Sequence, residues 1–227
     1  MANIQLRLDG DVNETWDVGG RFTWYNLFDL TPNFLALGVD SRGNPTASTF
    51  AAGNIPGGLT GNPFGGSMNV VEAAAYTTAN LIERWPITLL FDFSQNLSAS
   101  SSFITYTATA PPLTFIPFPG TYTTGPEGTA WMAAMSIGDT KEILRFRMLY
   151  AWLEANAFPA QFVDSDLFDQ FTNRRGWVWD FSKHVFTNTE ASLTLFYSDP
   201  IKTNLAYQNS LYGSRRFRMQ ANLVWSF

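Results

Sequence analysis

Apolar and polar residues alternate along this chain with a period of two, the spacing of an extended strand whose side chains point to opposite faces. The C-terminal stretch is the clearest case. Phe217, Met219, Ala221, Leu223, Trp225 and Phe227 interleave with Arg216, Arg218, Gln220, Asn222, Val224 and Ser226. One face is apolar and aromatic, and the other is almost wholly polar. The same reading holds upstream. Val18, Phe22 and Trp24 oppose Arg21, Thr23 and Tyr25, and Ile87, Leu89, Phe91 and Phe93 oppose Thr88, Asp92 and Ser94. Leu144, Phe146, Met148, Tyr150 and Trp152 oppose Arg145 and Arg147; Trp177, Trp179 and Phe181 oppose Asp180 and Ser182. Leu193, Leu195 and Tyr197 oppose Ser192, Thr194 and Ser198, and Ile4, Leu6 and Leu8 oppose Gln5, Arg7 and Asp9. With the fainter segments 69–81 and 129–137, the pattern predicts about nine or ten strands.

The connections sort by length. Short turns are expected at Gly10–Glu14, Glu83–Trp85, Gly138–Lys141 and Val185–Thr189, and long ones at 29–68, 95–128, 154–174 and 199–212. Strict alternation of short and long connections, between strands apolar on one face, is the signature of an outer-membrane β-barrel with periplasmic turns and extracellular loops. A soluble β-sandwich also buries one face but rarely sorts its loops this way. Tyr150, Trp152, Trp177 and Tyr197 fall at the long-connection ends of their strands, and Trp225 and Phe227 at the opposite end. Two aromatic rims are what a barrel in lipid needs. The expected fold is therefore all-β, an antiparallel transmembrane barrel of outer-membrane porin type, with residues 1–227 in one domain.

Composition narrows the classes further. Aromatic residues make up 16% and charged residues 15% of the chain, the reverse of a disordered composition. Formal net charge is −5 with no Lys/Arg cluster, which argues against nucleic-acid partners. The absence of Cys removes disulfides and thiol chemistry. Two uncharged stretches, Gly43–Val71 and Phe93–Pro126, are broken by glycine and proline and cannot form continuous membrane helices. With nine strands and periplasmic short turns, the last strand ends in the periplasm and the first begins on the extracellular side. Since single-chain bacterial barrels start in the periplasm, the chain reads as the C-terminal portion of a larger barrel.

From about Asn69 onward the sequence resembles a porin family of Gram-negative outer membranes. The resemblance rests on Val70-Val71-Glu72 followed by Trp85–Asn96, on Leu149–Ala157, and on Asp164-Ser165-Asp166 with Thr172–Gly176. The terminal strand ending in Trp225 and Phe227 is similar to the assembly signal of outer-membrane barrels. Membership implies passive diffusion of small hydrophilic solutes or ions across the cell outer membrane, without a cofactor. The implied partners are lipid, lipopolysaccharide, the barrel-assembly machinery and identical subunits in a trimer.

On the non-apolar phase lie Arg7, Arg21, Glu72, Asp92, Arg145, Arg147, Asp180, Arg216 and Arg218, with Asp9 beside them. In a water-filled lumen these charges set the field that permeating ions feel, and six arginines against four carboxylates suggest an anion preference. They could equally pair across strands and select nothing. Asp164, Asp166 and Asp169 are a candidate cation site, although the EF-hand spacing fails. His184 falls at a short turn with no carboxylate in reach on its own strand, so catalysis is not expected. The long segments 29–68 and 95–128, the second carrying the proline-rich run Pro111–Pro119, are candidates for a constriction or for exposed loops. The other functional class is a non-conducting barrel that attaches to surfaces through those loops.

Overall fold

The computed structural model describes residues 2–27, 60–61, 68–82, 85–99, 102–106, 120–124, 126–141, 144–154, 157–158, 168, 172–202 and 215–225. Twelve strands account for most of them: β1 (Ala2–Asn13), β2 (Trp16–Leu27), β3 (Thr60–Gly61), β4 (Met68–Ala79), β5 (Ile87–Asn96), β6 (Ser102–Tyr106), β7 (Gly120–Thr124), β8 (Thr129–Ile137), β9 (Arg145–Leu153), β10 (Arg174–Phe186), β11 (Thr189–Pro200) and β12 (Arg216–Trp225). Nine of these form one antiparallel sheet in the order β1-β2-β4-β5-β8-β9-β10-β11-β12, each paired with its neighbour in the main-sheet sequence. These are the strands that the alternation predicts.

The remaining three, β3, β6 and β7, form a separate antiparallel sheet inside segments 29–68 and 95–128, which read as loops in sequence. Strands that short leave too few alternating positions to register as a pattern. Among the described residues, no helix is long and apolar enough to cross a membrane.

Two turns sit later than the sequence suggests. β1 continues to Asn13, where the Asn13 Oδ1 accepts hydrogen bonds from the backbone N–H of Thr15 (2.8 Å) and Trp16 (3.0 Å), an Asx turn that closes the hairpin at 14–15. Gly10, read as a turn glycine, is a strand residue. β10 likewise runs on to Phe186, leaving a two-residue connection before β11. Both hairpins carry a register shift beside the turn, between Asp11 and Asn13 and between His184 and Phe186. Gly138, with φ of 87°, opens the β8–β9 connection in the left-handed region that favours glycine.

Burial in the main sheet is inverted relative to a soluble protein. The sheltered side chains are largely polar and share one face: Thr23, Glu72, Ser94, Asp180, Ser182, Thr194 and Ser198 are all buried. The exposed ones on the opposite face are large and apolar, with Leu6 64%, Phe217 68% and Leu223 71% accessible. A compact apolar cluster lies on the polar face, where Ala157 and Phe168 of the β9–β10 connection pack on Ala151 and Leu153 of β9.

Candidate functional site

The register of the sheet gathers charged side chains onto one face. Arg7 faces Arg21, which faces Ala74; Ala74 faces Asp92, and two strands further on Ala151, Gly176, Ser198 and Arg216 continue the row. All nine residues singled out from the alternation lie on this face.

The first half of the face is a network around Arg21. Its guanidinium bonds Glu72 on β4 and lies 3.4 Å from the Asp92 carboxylate on β5, so one cation serves two carboxylates. The Tyr25 hydroxyl donates to the other oxygen of Glu72 at 3.2 Å. At the β1 edge, Asp9 accepts from Arg7 and from the Tyr76 hydroxyl, each at 2.5 Å. Tyr76 reaches Asp9 by lying across Gly19, where an added Cβ would overlap its ring.

The second half is centred on Asp180. Thr194 donates to it at 2.8 Å, and Arg145 approaches at 3.9 Å while its Nε donates to Ser182 at 3.1 Å. Arg174, 2% exposed, donates to Ser198 at 3.2 Å, and Arg218 stacks on the Phe196 ring at 4.4 Å. Arg147 makes no hydrogen bond or ion pair among the described residues and faces Asp180 across the β9–β10 ladder.

Charge on this face is segregated. β1, β2, β4 and β5 carry Asp9, Asp11, Asp17, Glu72 and Asp92 against Arg7 and Arg21; β9 to β12 carry Arg145, Arg147, Arg174, Arg216 and Arg218 against Asp180 and Glu190. Asp11 and Asp17 face each other; Asp11 escaped the sequence reading because the first turn was placed over it. Arg174 escaped because the strand start was set two residues late. Counting them and Glu190, seven carboxylates balance seven guanidiniums on the described strands, so the excess of arginine read as six against four disappears.

The opposite face carries the complementary pattern. Across nine strands its charged residues are Arg175, Asp199 and Lys183, all near strand ends. Arg175 holds Asp199 through two hydrogen bonds of 3.1 and 3.3 Å and lies 5.7 Å from the Trp152 ring. Arg175 and Lys183 are separated by about 26 Å of extended chain, and only Trp177, Trp179 and Phe181 stand between them on this side. Just inside Arg175 runs a chain of aromatic contacts: Phe91–Trp131 (6.5 Å), Trp131–Tyr150 (5.3 Å) and Tyr150–Trp177 (4.7 Å). Trp16 and Trp225 mark the other end of the face, Trp225 opposite Thr189. Phe227 lies outside the described residues.

No protein family, curated protein or solved structure matches the chain.

The described ends of two long connections meet at one end of the sheet. Lys202, just past β11, pairs with Glu127, just before β8, spanning β9 and β10. Asn173 fixes Lys202 by donating to its carbonyl at 2.8 Å and accepting from its N–H at 3.1 Å. Phe158, from the connection that follows β9, reaches Tyr25 of β2 edge-on at 6.2 Å. Phe158 and Phe168 of the connection at 154–174 thus lie over the polar face, while Pro111–Pro119 and most of the two candidates for a constriction, 29–68 and 95–128, lie outside the described residues. So do Asp164, Asp166 and Asp169, and no group of three possible metal ligands occurs among those described. His184 finds a carboxylate on the neighbouring strand, with Nε2 3.3 Å from Glu190.

Proposed function

We propose that this chain forms the wall of an outer-membrane pore, with the exposed apolar face toward lipid and the charged face toward a water-filled lumen through which small polar solutes diffuse. The observation that carries this reading is the inverted burial of the nine-stranded sheet. Leaving so many Leu, Phe and Trp side chains in water would cost about 1.5–3 kcal/mol each; an apolar solvent on that face removes the cost. The distribution of charge supports it: an uncharged band bounded by Arg175, Asp199 and Lys183 approaches the height of an outer-membrane apolar belt once strand tilt is included. So do strands of 9 to 13 residues beyond the shortest pairs and the alternation of short and long connections.

In this reading the resemblance to a porin family supplies the functional class, the short connections face the periplasm, and assembly involves lipopolysaccharide and the barrel-assembly machinery. The balance of charge favours solutes of either sign, with local bias set by the acidic and basic halves. Closure has a parity rule. With nine antiparallel strands β1 and β12 run the same way, so an odd number of further strands is needed to close the wall in antiparallel register. Unpaired strand edges are not tolerated in lipid.

A second reading, a barrel that does not conduct and works through surface attachment, draws on Phe158 and Phe168, which fill part of the polar face. Single-channel recording in planar bilayers under asymmetric salt separates the two. The pore reading expects ohmic steps with a reversal potential near zero. Folded, inserted protein that gives no steps contradicts it.

A further inference from the structure

A cavity of about 340 Å³ lies between the polar face and the residues folded over it, with Glu72, Asp92, Met132, Leu153, Phe158 and Phe168 among its walls. That volume is at the small end of ligand sites. The walls are chemically lopsided. Both ionisable side chains are carboxylates, and the described lining holds no Lys or Arg. Arg21 is shared between Glu72 and Asp92, so among the described residues two carboxylates meet one guanidinium and one negative charge is left over. Asp92 meets Arg21 through Oδ2, and among the described residues no donor is bonded to its Oδ1. Two phenyl rings add apolar area and negative π faces.

From this combination we infer that the cavity binds a small organic cation with an apolar body, an arylalkyl or alkyl ammonium. The ammonium donates to Asp92 Oδ1 and the hydrocarbon lies against Phe158, Phe168, Met132 and Leu153. A carboxylate ligand would meet the uncompensated charge, and an uncharged one would leave it unanswered. The role of the site in permeation rests on the pore reading; its chemistry does not. Placed on the acidic half of the face, it would hold ammonium solutes on their way through.

The test is calorimetric titration of the folded full chain in detergent micelles with 2-phenylethylammonium, 2-phenylethanol and phenylacetate. The ammonium is expected to bind about tenfold tighter than the alcohol, as a charge-assisted hydrogen bond allows, with phenylacetate weakest. Asp92→Asn should erase the preference, while Arg147→Gln, remote from the cavity, should keep it. Ala130→Leu, which fills the cavity without touching its charge, should weaken all binding and covers the case in which Asp92→Asn fails to fold. Equal affinity for ammonium and alcohol, or unchanged binding in either cavity variant, overturns the site. Bilayer recording on the same samples keeps the two readings apart. Conducting protein that binds no ammonium overturns the site and leaves the pore, whereas binding by protein that never conducts overturns the pore and leaves the site.

Discussion

Tyr76 on β4 passes over Gly19 on β2 to donate its hydroxyl to Asp9 on β1, 2.5 Å away. The contact spans three strands and ties down β1, whose residues are all exposed. It depends on glycine, because any side chain at position 19 would occupy the place of the Tyr76 ring. Gly19→Val should therefore free the β1 edge and destabilise the fold by about 1–3 kcal/mol, the usual cost of an overpacked site. Tyr76→Phe, which loses only the hydrogen bond, should cost less than Gly19→Val. Urea unfolding in micelles, followed by Trp fluorescence, would show the order; a silent Gly19→Val variant would mean that Tyr76 does not lie where described.

Arg21 bridges Glu72 and Asp92, and removing it leaves two carboxylates diagonal to each other on adjacent strands. Arg21→Gln should cost about 1–2 kcal/mol, below the full penalty for breaking a buried pair because Arg21 is well exposed to solvent. Adding Glu72→Gln should restore part of that loss. A double-mutant cycle measures it, and simple additivity would show that the three charges are independent.

Met219 and Gln220 are neighbours on β12 that point to opposite faces. An arginine at 219 would enter the apolar face and should cost about 2–4 kcal/mol in a bilayer if it sits near the midplane. An arginine at 220 joins Arg218 on the polar face and should change stability by no more than about 0.5 kcal/mol. Equal effects in lipid-bilayer unfolding would contradict the assignment of faces.

Phe158 projects over the polar face to touch Tyr25. Phe158→Ala should raise single-channel conductance without moving the reversal potential, because it removes bulk and no charge. Unchanged conductance would place the permeation path away from the β9–β10 connection.

How much of this was legible in the chain follows from which signals are local. The nine strands and the separation of Phe217, Met219 and Leu223 from Arg216, Arg218 and Gln220 need only a period of two. Every charge named from that alternation lies on the shared face. Partners were not legible: that Arg21 serves both Glu72 and Asp92, or that Tyr76 crosses Gly19, depends on registers between strands far apart in sequence. Turn positions slipped where polar residues belong to strands. Asp11 looks like a turn residue until the Asx turn at Asn13 shows that the hairpin closes beyond it and pairs it with Asp17. Phe158 and Phe168 carried no periodic signal, because they lie outside the strands and act by packing back onto the sheet.

The central claim is that one face of the sheet meets lipid and the other meets water. The chain has no cysteine, so single-cysteine variants along β12 can be spin-labelled without background. The direct measurement is collision accessibility at positions 217 to 224 in lipid bilayers, comparing oxygen, which partitions into hydrocarbon, with a water-soluble nickel chelate. The account predicts a period of two, with oxygen favoured at 217, 219, 221 and 223 and nickel at 218, 220, 222 and 224. Labels at the odd positions shielded from both reagents, or more open to nickel than to oxygen, would contradict it.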